Sequence, residues 1–405
     1  MRLLVALMLL LLGCSAAQAQ VQGQVPPGAP FTPPVEPGRA YVFAHMMTGR
    51  YGVLHYSVSL DGFNWRLLNG GQPVSDDYHG HASIARGPDG RYYLTGNESD
   101  DDPLIRFWVS DDLIGWERFG TYRPDLRDIP RHPDALQRIG APKLYWDAPS
   151  GRFLLSWHTP NVPGSDADPE RYWASQKTLY VTSSDLRRFD GPPRRLFEWD
   201  MATIDTVIER DVDGRYCAIL KDERYPAYDW TTGKTIRISC AASLLGPWPM
   251  PGPPVSPNFR EAPTIIRAPG GRDWLLWYEQ YAGIAYGLSM APRLTGPWYQ
   301  VSGNTGVAEW NRFEMPANVR HGAMIAISRS EHDALVAAFP PAPARRTEEA
   351  PAGAVLSLPQ ACRQGRDGRA VRIADPPCPF TGSVRARTGP APPWQASLRR
   401  RFRRD

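Results

Sequence analysis

The sequence leaves little room for long helices. Of its 405 residues, 42 are proline and 36 are glycine, and few segments run for more than a dozen residues without one of these helix breakers. Many short segments between turn residues, with 14 tryptophans and 17 tyrosines in the chain, are typical of an all-β sandwich, barrel or propeller. The length suits one large all-β domain or two ordinary ones, and it can bury a sizeable core.

Strong net charge and long apolar runs are also missing. The formal net charge is only +4, and much of the excess lies in the arginine-rich C-terminal end, so the composition does not indicate nucleic-acid binding. The apolar run at residues 3–12 is too short to span a bilayer as a helix. It follows Arg2 and precedes small residues, which is the pattern of an export signal cleaved before Gln20.

Cysteine is scarce, with five residues in the chain. Residues 11–14 resemble a bacterial lipobox, in which the cysteine is lipidated, although Leu12 stands where that box usually has a small residue. A lipid anchor at Cys14 and simple export to the periplasm or medium therefore both remain open. The other four cysteines suggest two disulfides in an exported chain. The local pairing, one of three connectivities, is Cys217–Cys240 and Cys362–Cys378.

Composition divides the chain into four parts. Residues 1–19 form the signal peptide, and residues 20–39, which are rich in Pro, Gly and Gln, form a linker. Residues 40–330 carry a repeated pattern of strands. Residues 331–405 are interpreted as a Pro- and Arg-rich tail with little structure.

A repeat of strand, polar turn and aromatic residue occurs five times in the third part. The aromatic residue recurs about every 50 to 73 positions, which is the size of a four-stranded propeller blade with a variable loop. The five aromatics are Trp65, Trp116, Phe189, Trp248 and Trp298.

Strand hairpins with Asp-Gly or other glycine-containing turns precede four of the five copies. These hairpins begin near Ser83, Ala141, Asp205 and Glu261. The first copy lacks this strand, and a matching strand appears only at residues 320–327. We therefore predict an all-β, five-bladed β-propeller in which the C-terminal strand completes the N-terminal blade and leaves no open edge.

The leading ends of these inner strands should face one mouth of the axial cavity. They carry His81, Lys143, Asp205, Glu261 and His321. Titratable groups that converge in an aromatic-rich cavity indicate a site for a small molecule. Glu261 in particular opens an otherwise apolar strand, where a carboxylate is costly unless it is solvated, paired or used.

Several motifs, in this order and spacing, resemble glycoside hydrolase family 43 and its five-bladed relatives over about residues 40–328. The motifs are Thr203–Ile208 with Asp213–Tyr216, Lys221–Glu223, Lys234–Arg237, Gly246–Trp248, Glu261–Pro263 and Arg320–Gly322. The resemblance implies an inverting glycosidase that removes terminal pentose-type sugars, such as α-L-arabinofuranosides or β-xylosides, from oligosaccharides or polysaccharides. It implies no redox or nucleotide cofactor.

The resemblance also implies catalytic roles. Glu261 matches the general acid, and Asp205 matches the residue that raises the pKa of that acid and positions it. His81 stands where the family has the aspartate that activates water, so it is either the base or a substrate contact. Asp76 or Asp77 from the preceding loop is the other candidate for the base.

Further residues are expected to contact the substrate. They are His321, Arg260, Lys143 and Trp157. Lys143 stands where relatives commonly have glutamate. Trp146, Trp157, His158 and Trp173 are candidates for a sugar-stacking platform, although packing within blades is the commoner role of such residues. Some relatives hold calcium near the axis, where His321 could help to bind it; no ligand set is assigned.

Two other functions remain open from the sequence. Loss of the usual base would leave a carbohydrate-binding propeller without activity. A propeller glycosidase of another family would use His81 or His321 in acid–base chemistry and would not need the Asp76–Asp77 pair. A carboxylate about 6.5 to 9.5 Å from Glu261 would indicate a conventional inverting pair.

Overall fold

The computed structural model describes residues 33–99, 102–162, 169–225, 233–281, 285–302 and 311–342. The predicted signal peptide, Cys14 and the Cys362–Cys378 disulfide lie outside the described residues. Within the described part of the chain, no helix has the length and apolar character needed to cross a membrane.

The described strands form five antiparallel sheets, which confirms the predicted five-bladed β-propeller. Blade 1 has β1 (Arg39–Met47), β2 (Arg50–Ser59) and β3 (Arg66–Leu67). Blade 2 has β4 (Ser83–Arg86), β5 (Tyr92–Asn97), β6 (Ile105–Ser110) and β7 (Glu117–Tyr122). Blade 3 has β8 (Gly140–Asp147), β9 (Arg152–Thr159), β10 (Lys177–Ser183) and β11 (Arg194–Arg195). Blade 4 has β12 (Thr203–Arg210), β13 (Tyr216–Asp222) and β14 (Thr235–Ala241). Blade 5 has β15 (Glu261–Arg267), β16 (Trp274–Gln280), β17 (Ala285–Ala291) and β18 (Tyr299–Gln300).

The inner strand of blade 1 comes from the far end of the propeller sequence, as predicted. Strand β19 (Val319–Ser328) pairs antiparallel with β1, with Arg39 opposite Ser328 and Met47 opposite Val319. The two strands approach closely at Gly322, where a Cβ atom would lie 2.0 Å from the carbonyl oxygen of Ala44. A side chain is therefore excluded at this point of the closing strand.

The repeated polar turns are held by side chains that bind the backbone. In blade 1, Ser59 Oγ accepts a hydrogen bond from the N–H of Gly62 at 2.8 Å, and Asp61 Oδ1 accepts one from the N–H of Phe63 at 2.8 Å. Such side-chain acceptors favour a tight turn over continued strand. The same bonds recur at Ser110 with Asp112 and at Ser183 with Asp185.

The core lies between neighbouring blades and is dominated by large aromatic residues. Trp108, Trp157 and Trp277 are all at most 2% exposed. The predicted Cys217–Cys240 disulfide is confirmed and joins opposite positions of β13 and β14.

In the described part of the chain, two short α-helices accompany the blades, namely α1 (Pro169–Ala174) and α2 (Arg329–Ala338). In α2 the Ser328 side chain accepts from the Glu331 N–H while Glu331 binds the Ser328 N–H, which is a capping box. Leu335 buries its side chain in the core shared by blades 1 and 2. The first residues of the predicted tail at 331–405 thus form a helix packed on the propeller.

Candidate active site

Backbone bulges shape the mouth of the axial cavity. The pairing register breaks in three inner strands, and Ala141, Asp205 and Ala262 adopt φ values of +40°, +52° and +48°. Left-handed backbone costs about 1–2 kcal/mol for most residues and less for aspartate. Bulges of this kind change the direction of the side chains next to them. The bulges also show that Asp205 occupies in β12 the position that Ala262 occupies in β15, which is one residue after Glu261.

Glu261 is held between two cationic side chains. Its Oε2 lies 2.8 Å from Nζ of Lys221, and its Oε1 lies 2.9 Å from Nε2 of His321. Burial acts to raise the pKa of Glu261, but the Lys221 charge and the His321 hydrogen bond outweigh it and hold the pKa well below its ordinary value. The carboxyl is therefore ionised at neutral pH, which is the reverse of the expected raised pKa.

The proton that Glu261 lacks is held by its neighbour. Nε2 of His321 also lies 3.4 Å from Oε2 of Glu279, which accepts the His321 backbone N–H at 3.1 Å. Burial acts to lower the pKa of His321, but Glu279, Glu261 and more distant Asp205 raise it to about 9. His321 is thus an imidazolium at neutral pH. Burial raises the pKa of Glu279. The Glu279 carboxylate also forms an ion pair with Arg320.

Asp205 is placed to orient the strand that carries Glu261. Its Oδ2 accepts a hydrogen bond from the backbone N–H of Ala262 at 3.0 Å, and its side chain is buried. Because Ala262 follows Glu261 directly, this hydrogen bond to the Asp205 carboxylate fixes the direction in which the Glu261 side chain leaves β15. The positioning part of the role predicted for Asp205 is consistent with this contact.

His81 lies beside His321 at the mouth. The two rings meet edge to face with centroids 4.8 Å apart, and Nε2 of His81 is hydrogen-bonded to the hydroxyl of Tyr51. Within the described part of the chain, Nδ1 of His81 is buried without a hydrogen-bond partner. Burial, reinforced by His321 and Lys143, lowers the pKa of His81 well below its ordinary value, so the ring is neutral at neutral pH.

Lys143 and His158 complete the cluster. Among the described residues, Nζ of Lys143 has no hydrogen-bond acceptor, and burial lowers its pKa against the attraction of Asp205. Lys143 also lines an axial cavity of about 210 Å³ that all five inner strands enclose. Burial lowers the pKa of His158 to about 4. The ring of His158 fills the space over Gly140, where a Cβ atom would lie 1.9 Å from its Nε2.

The other residues predicted from sequence lie around this cluster. Arg260 donates to the carbonyls of Asn258 and Phe259 at 2.9 and 3.1 Å and thereby shapes the loop before β15. Trp157 is 2% exposed and packs in the core of blades 2 and 3, with its ring centroid 6.2 Å from that of Tyr122. Their predicted contacts with substrate stay predictions.

The aspartates considered as replacement bases lie on the preceding loop. Asp76 and Asp77 are exposed. Asp77 accepts from Nε1 of Trp108 at 2.9 Å and pairs with Arg118 at 3.2 Å. These partners belong to β6 and β7, the third and fourth strands of blade 2, so Asp77 is tied away from the axis.

Three residues of the cluster were not assigned roles from sequence. Lys221 and Glu279 are second-strand residues, and Tyr51 follows the turn into β2. Lys221 stands in one of the motifs that resemble family 43, and that was the available signal. Nothing in the local sequence around Tyr51 indicates that it reaches His81 across 30 residues.

A bound cation does not fit the acidic part of the site. Glu261, Glu279 and His321 offer ligand atoms that lie within 4.8 Å of one another. Calcium prefers six to eight oxygen ligands, whereas these carboxylates already bind the cations Lys221 and Arg320, and His321 is protonated. We therefore route no step through a metal at this position.

Comparison with known families gives one match. Residues 36–333 match a family model described as a probable glycosyl hydrolase domain, related to family 43. No curated protein matches the chain.

Solved structures with similar folds are distant in sequence. A thermostable family-43 glycoside hydrolase is 19% identical with a TM-score of 0.42, over 56% of this chain and 72% of that one. An endo-arabinase from Bacteroides thetaiotaomicron is 18% identical with a TM-score of 0.40, over 54% and 78%. An exo-β-1,3-galactanase from Clostridium thermocellum is 18% identical with a TM-score of 0.41, over 59% and 52%.

The family match extends from the last residues before β1 to the start of α2 and so includes every inner strand of the propeller. The chain belongs to the glycosyl hydrolases related to family 43, and it is a glycosidase.

Proposed function

We propose that this glycosidase removes a terminal pentose-type sugar, an α-L-arabinofuranoside or a β-xyloside, from an oligosaccharide or polysaccharide with inversion. The observation that carries the proposal is the meeting of Glu261, His321 and Asp205 at the axial mouth, with His81 beside them. The signal-like residues 1–19 support a secreted or periplasmic enzyme, and a lipid anchor at Cys14 is the alternative.

The proton for the leaving group comes from a pair of residues in this proposal. Glu261 is ionised in the free enzyme, and the protonated Nε2 of His321 lies 2.9 Å from Oε1 of Glu261. The oxygen of the leaving group takes up this proton from the Glu261–His321 pair, while the bond between that oxygen and the anomeric carbon breaks. This charge distribution supports a part for histidine in the acid–base chemistry, within the family-43-related glycosidases to which the chain belongs.

His81 accepts the proton of the attacking water in this proposal. Its neutral ring keeps a lone pair at neutral pH because burial and neighbouring cations oppose protonation. A water molecule bonds to the anomeric carbon while its proton passes to His81. Asp205 keeps β15 in place through the Ala262 N–H, and Lys143 is available to donate to a hydroxyl of the bound sugar.

The test is hydrolysis of aryl pentosides, arabino- and xylo-oligosaccharides and β-1,3-linked galactosides by residues 20–405. We expect turnover that Glu261→Gln and His81→Ala both reduce by at least about 100-fold, with the inverted anomer as the first product by NMR. Glu117→Gln, on the exposed side of β7, is the matched control and should retain full activity. Sugar binding without turnover, unchanged in Glu261→Gln, would show a binding propeller instead.

A further inference from the structure

Tyr51 connects the surface of the site to the histidine at its centre. The residue is 54% exposed, yet its hydroxyl is hydrogen-bonded to Nε2 of the buried His81. The two rings lie edge to face with centroids 5.1 Å apart. Tyr51 belongs to blade 1 and His81 precedes the inner strand of blade 2, so the bond joins two blades at the mouth of the cavity.

This hydrogen bond has two forms with opposite chemical consequences. If the Tyr51 hydroxyl donates to Nε2, the proton of the neutral imidazole is on Nδ1, and that nitrogen cannot accept another. If Nε2 carries the proton and donates to the Tyr51 oxygen, Nδ1 keeps its lone pair. Only the second form allows Nδ1 of His81 to act as a base toward the site.

The charges around His81 favour the second form. His321 from β19 faces its ring at 4.8 Å and is protonated, because its acidic neighbours raise its pKa to about 9. Lys143 from β8 adds to this field and Glu261 from β15 opposes it, whereas His158 from β9, with a pKa of about 4, is neutral at pH 7. A cationic interior attracts the lone-pair end of an imidazole and repels its N–H end. The N–H is therefore directed to Tyr51 on the exposed side.

We propose that Tyr51 is a positioning residue that holds His81 as the Nε2–H tautomer and so leaves Nδ1 free to take the proton of the attacking water. In this step the water oxygen bonds to the anomeric carbon, and the bond to the leaving oxygen breaks. The water proton moves to Nδ1, and Nε2–H continues to donate to Tyr51. The catalytic step rests on the proposed function, whereas the tautomer does not.

The first test measures the tautomer and needs no substrate. Long-range ¹H–¹⁵N spectra of uniformly labelled residues 20–405 at pH 7, with His81→Gln to assign the resonances, distinguish a protonated Nε2 from a protonated Nδ1. We expect the Nε2–H form in the wild type and a mixture of both forms in Tyr51→Phe. A wild-type ring protonated on Nδ1 would overturn the proposal, as would a Tyr51→Phe spectrum identical to that of the wild type.

The second test measures catalysis. Tyr51→Phe should lower kcat by about tenfold or more, a part of the 10²- to 10⁴-fold that a general base contributes, with KM unchanged within twofold. The acidic limb of the kcat profile should move to lower pH because the His81 imidazolium loses an acceptor. Tyr299→Phe, at an exposed tyrosine on β18, should match the wild type.

The outcomes separate this inference from the proposed function. A Tyr51→Phe enzyme with kcat within twofold of the wild type, or with a raised KM alone, would overturn the positioning role while hydrolysis itself stands. Absence of hydrolysis in the wild type would overturn the proposed function, and the tautomer measurement would still decide the Tyr51–His81 relationship.

Discussion

The ammonium of Lys221 lies 2.8 Å from the carboxylate of Glu261, the residue that matches the family's general acid. The same ammonium lies 2.9 Å from Glu223, so one buried cation is shared by two acids. Such a pair is strongly disturbed when one partner is removed, because a charge is then left without compensation. The charge of Glu261, the predicted general acid, therefore depends on its cationic neighbours.

Replacement of Lys221 by methionine should destabilise the protein and weaken catalysis. It leaves Glu261 with His321 and Glu223 with Lys234 as their remaining cations, so the loss of unfolding free energy should stay below the roughly 3–5 kcal/mol that a fully uncompensated buried charge costs. Urea unfolding at pH 7 measures the loss. Arg127→Met, which removes the fully exposed pair with Asp125, is the control and should change nothing measurable. Equal effects of the two substitutions would contradict the buried pair.

Stability should fall between about pH 6.5 and pH 9 because of His321. The folded pKa, about 9, exceeds the unfolded value, so the stabilising contribution is complete below pH 6.5 and is lost as the pH rises through 9. The shift corresponds to about 3 kcal/mol. Unfolding curves of the wild type and His321→Gln at several pH values isolate this contribution, since other groups titrate in both. If the difference in unfolding free energy between the two proteins stayed constant from pH 6.5 to pH 9, the contribution of His321 would be refuted.

Sequence patterns were sufficient for the architecture because each blade repeats its own strand, turn and aromatic residue. The position of Trp65, Trp116 and their equivalents is set by local turns, which the sequence shows directly. Closure by residues 320–327 followed from one missing strand, and the Cys217–Cys240 bridge from two neighbouring strands. All of these features depend on short segments of chain.

The charge state of the site could not be read in the same way. Whether Glu261 is protonated depends on Lys221 and His321, which are 40 and 60 residues away. The residue after Glu261, Ala262, also has the left-handed backbone of a bulge, and alanine, unlike glycine, asparagine or aspartate, gives no sequence signal for it. The family resemblance therefore predicted Glu261 as the general acid but implied a raised pKa, whereas its pKa is held low.

Substitution of Gly140 by alanine should impair the site while leaving the propeller folded. The new Cβ would lie 1.9 Å from Nε2 of His158, so the ring must move out of the cluster. Overpacking of this kind costs about 1–3 kcal/mol, and kcat should fall because His158 adjoins Lys143 and Asp205. Gly115→Ala, where nothing lies within 4 Å of the added atom, should behave as the wild type. Equal kcat for both variants would argue against a role of His158.

Reduction of Cys217–Cys240 should lower thermal stability. The bridge closes a loop with a sequence separation of 23 residues, for which the loss of chain entropy in the unfolded state amounts to about 3 kcal/mol. Calorimetry with and without a reducing agent measures the effect. The Cys217→Ser, Cys240→Ser double variant should have the melting temperature of the reduced protein, and the reducing agent should not change it. A double variant with the melting temperature of the oxidised protein would contradict the estimate.

The pairing of β1 with β19 also determines when the molecule can be finished during synthesis. Until residues 319–328 leave the ribosome, β1 has one edge of unpaired backbone groups, and the ring stays open. Pairing of segments so distant in sequence is intrinsically slow. A chain interrupted before residue 319 retains this open edge permanently, so truncated products should associate with one another through β1 instead of accumulating as soluble fragments.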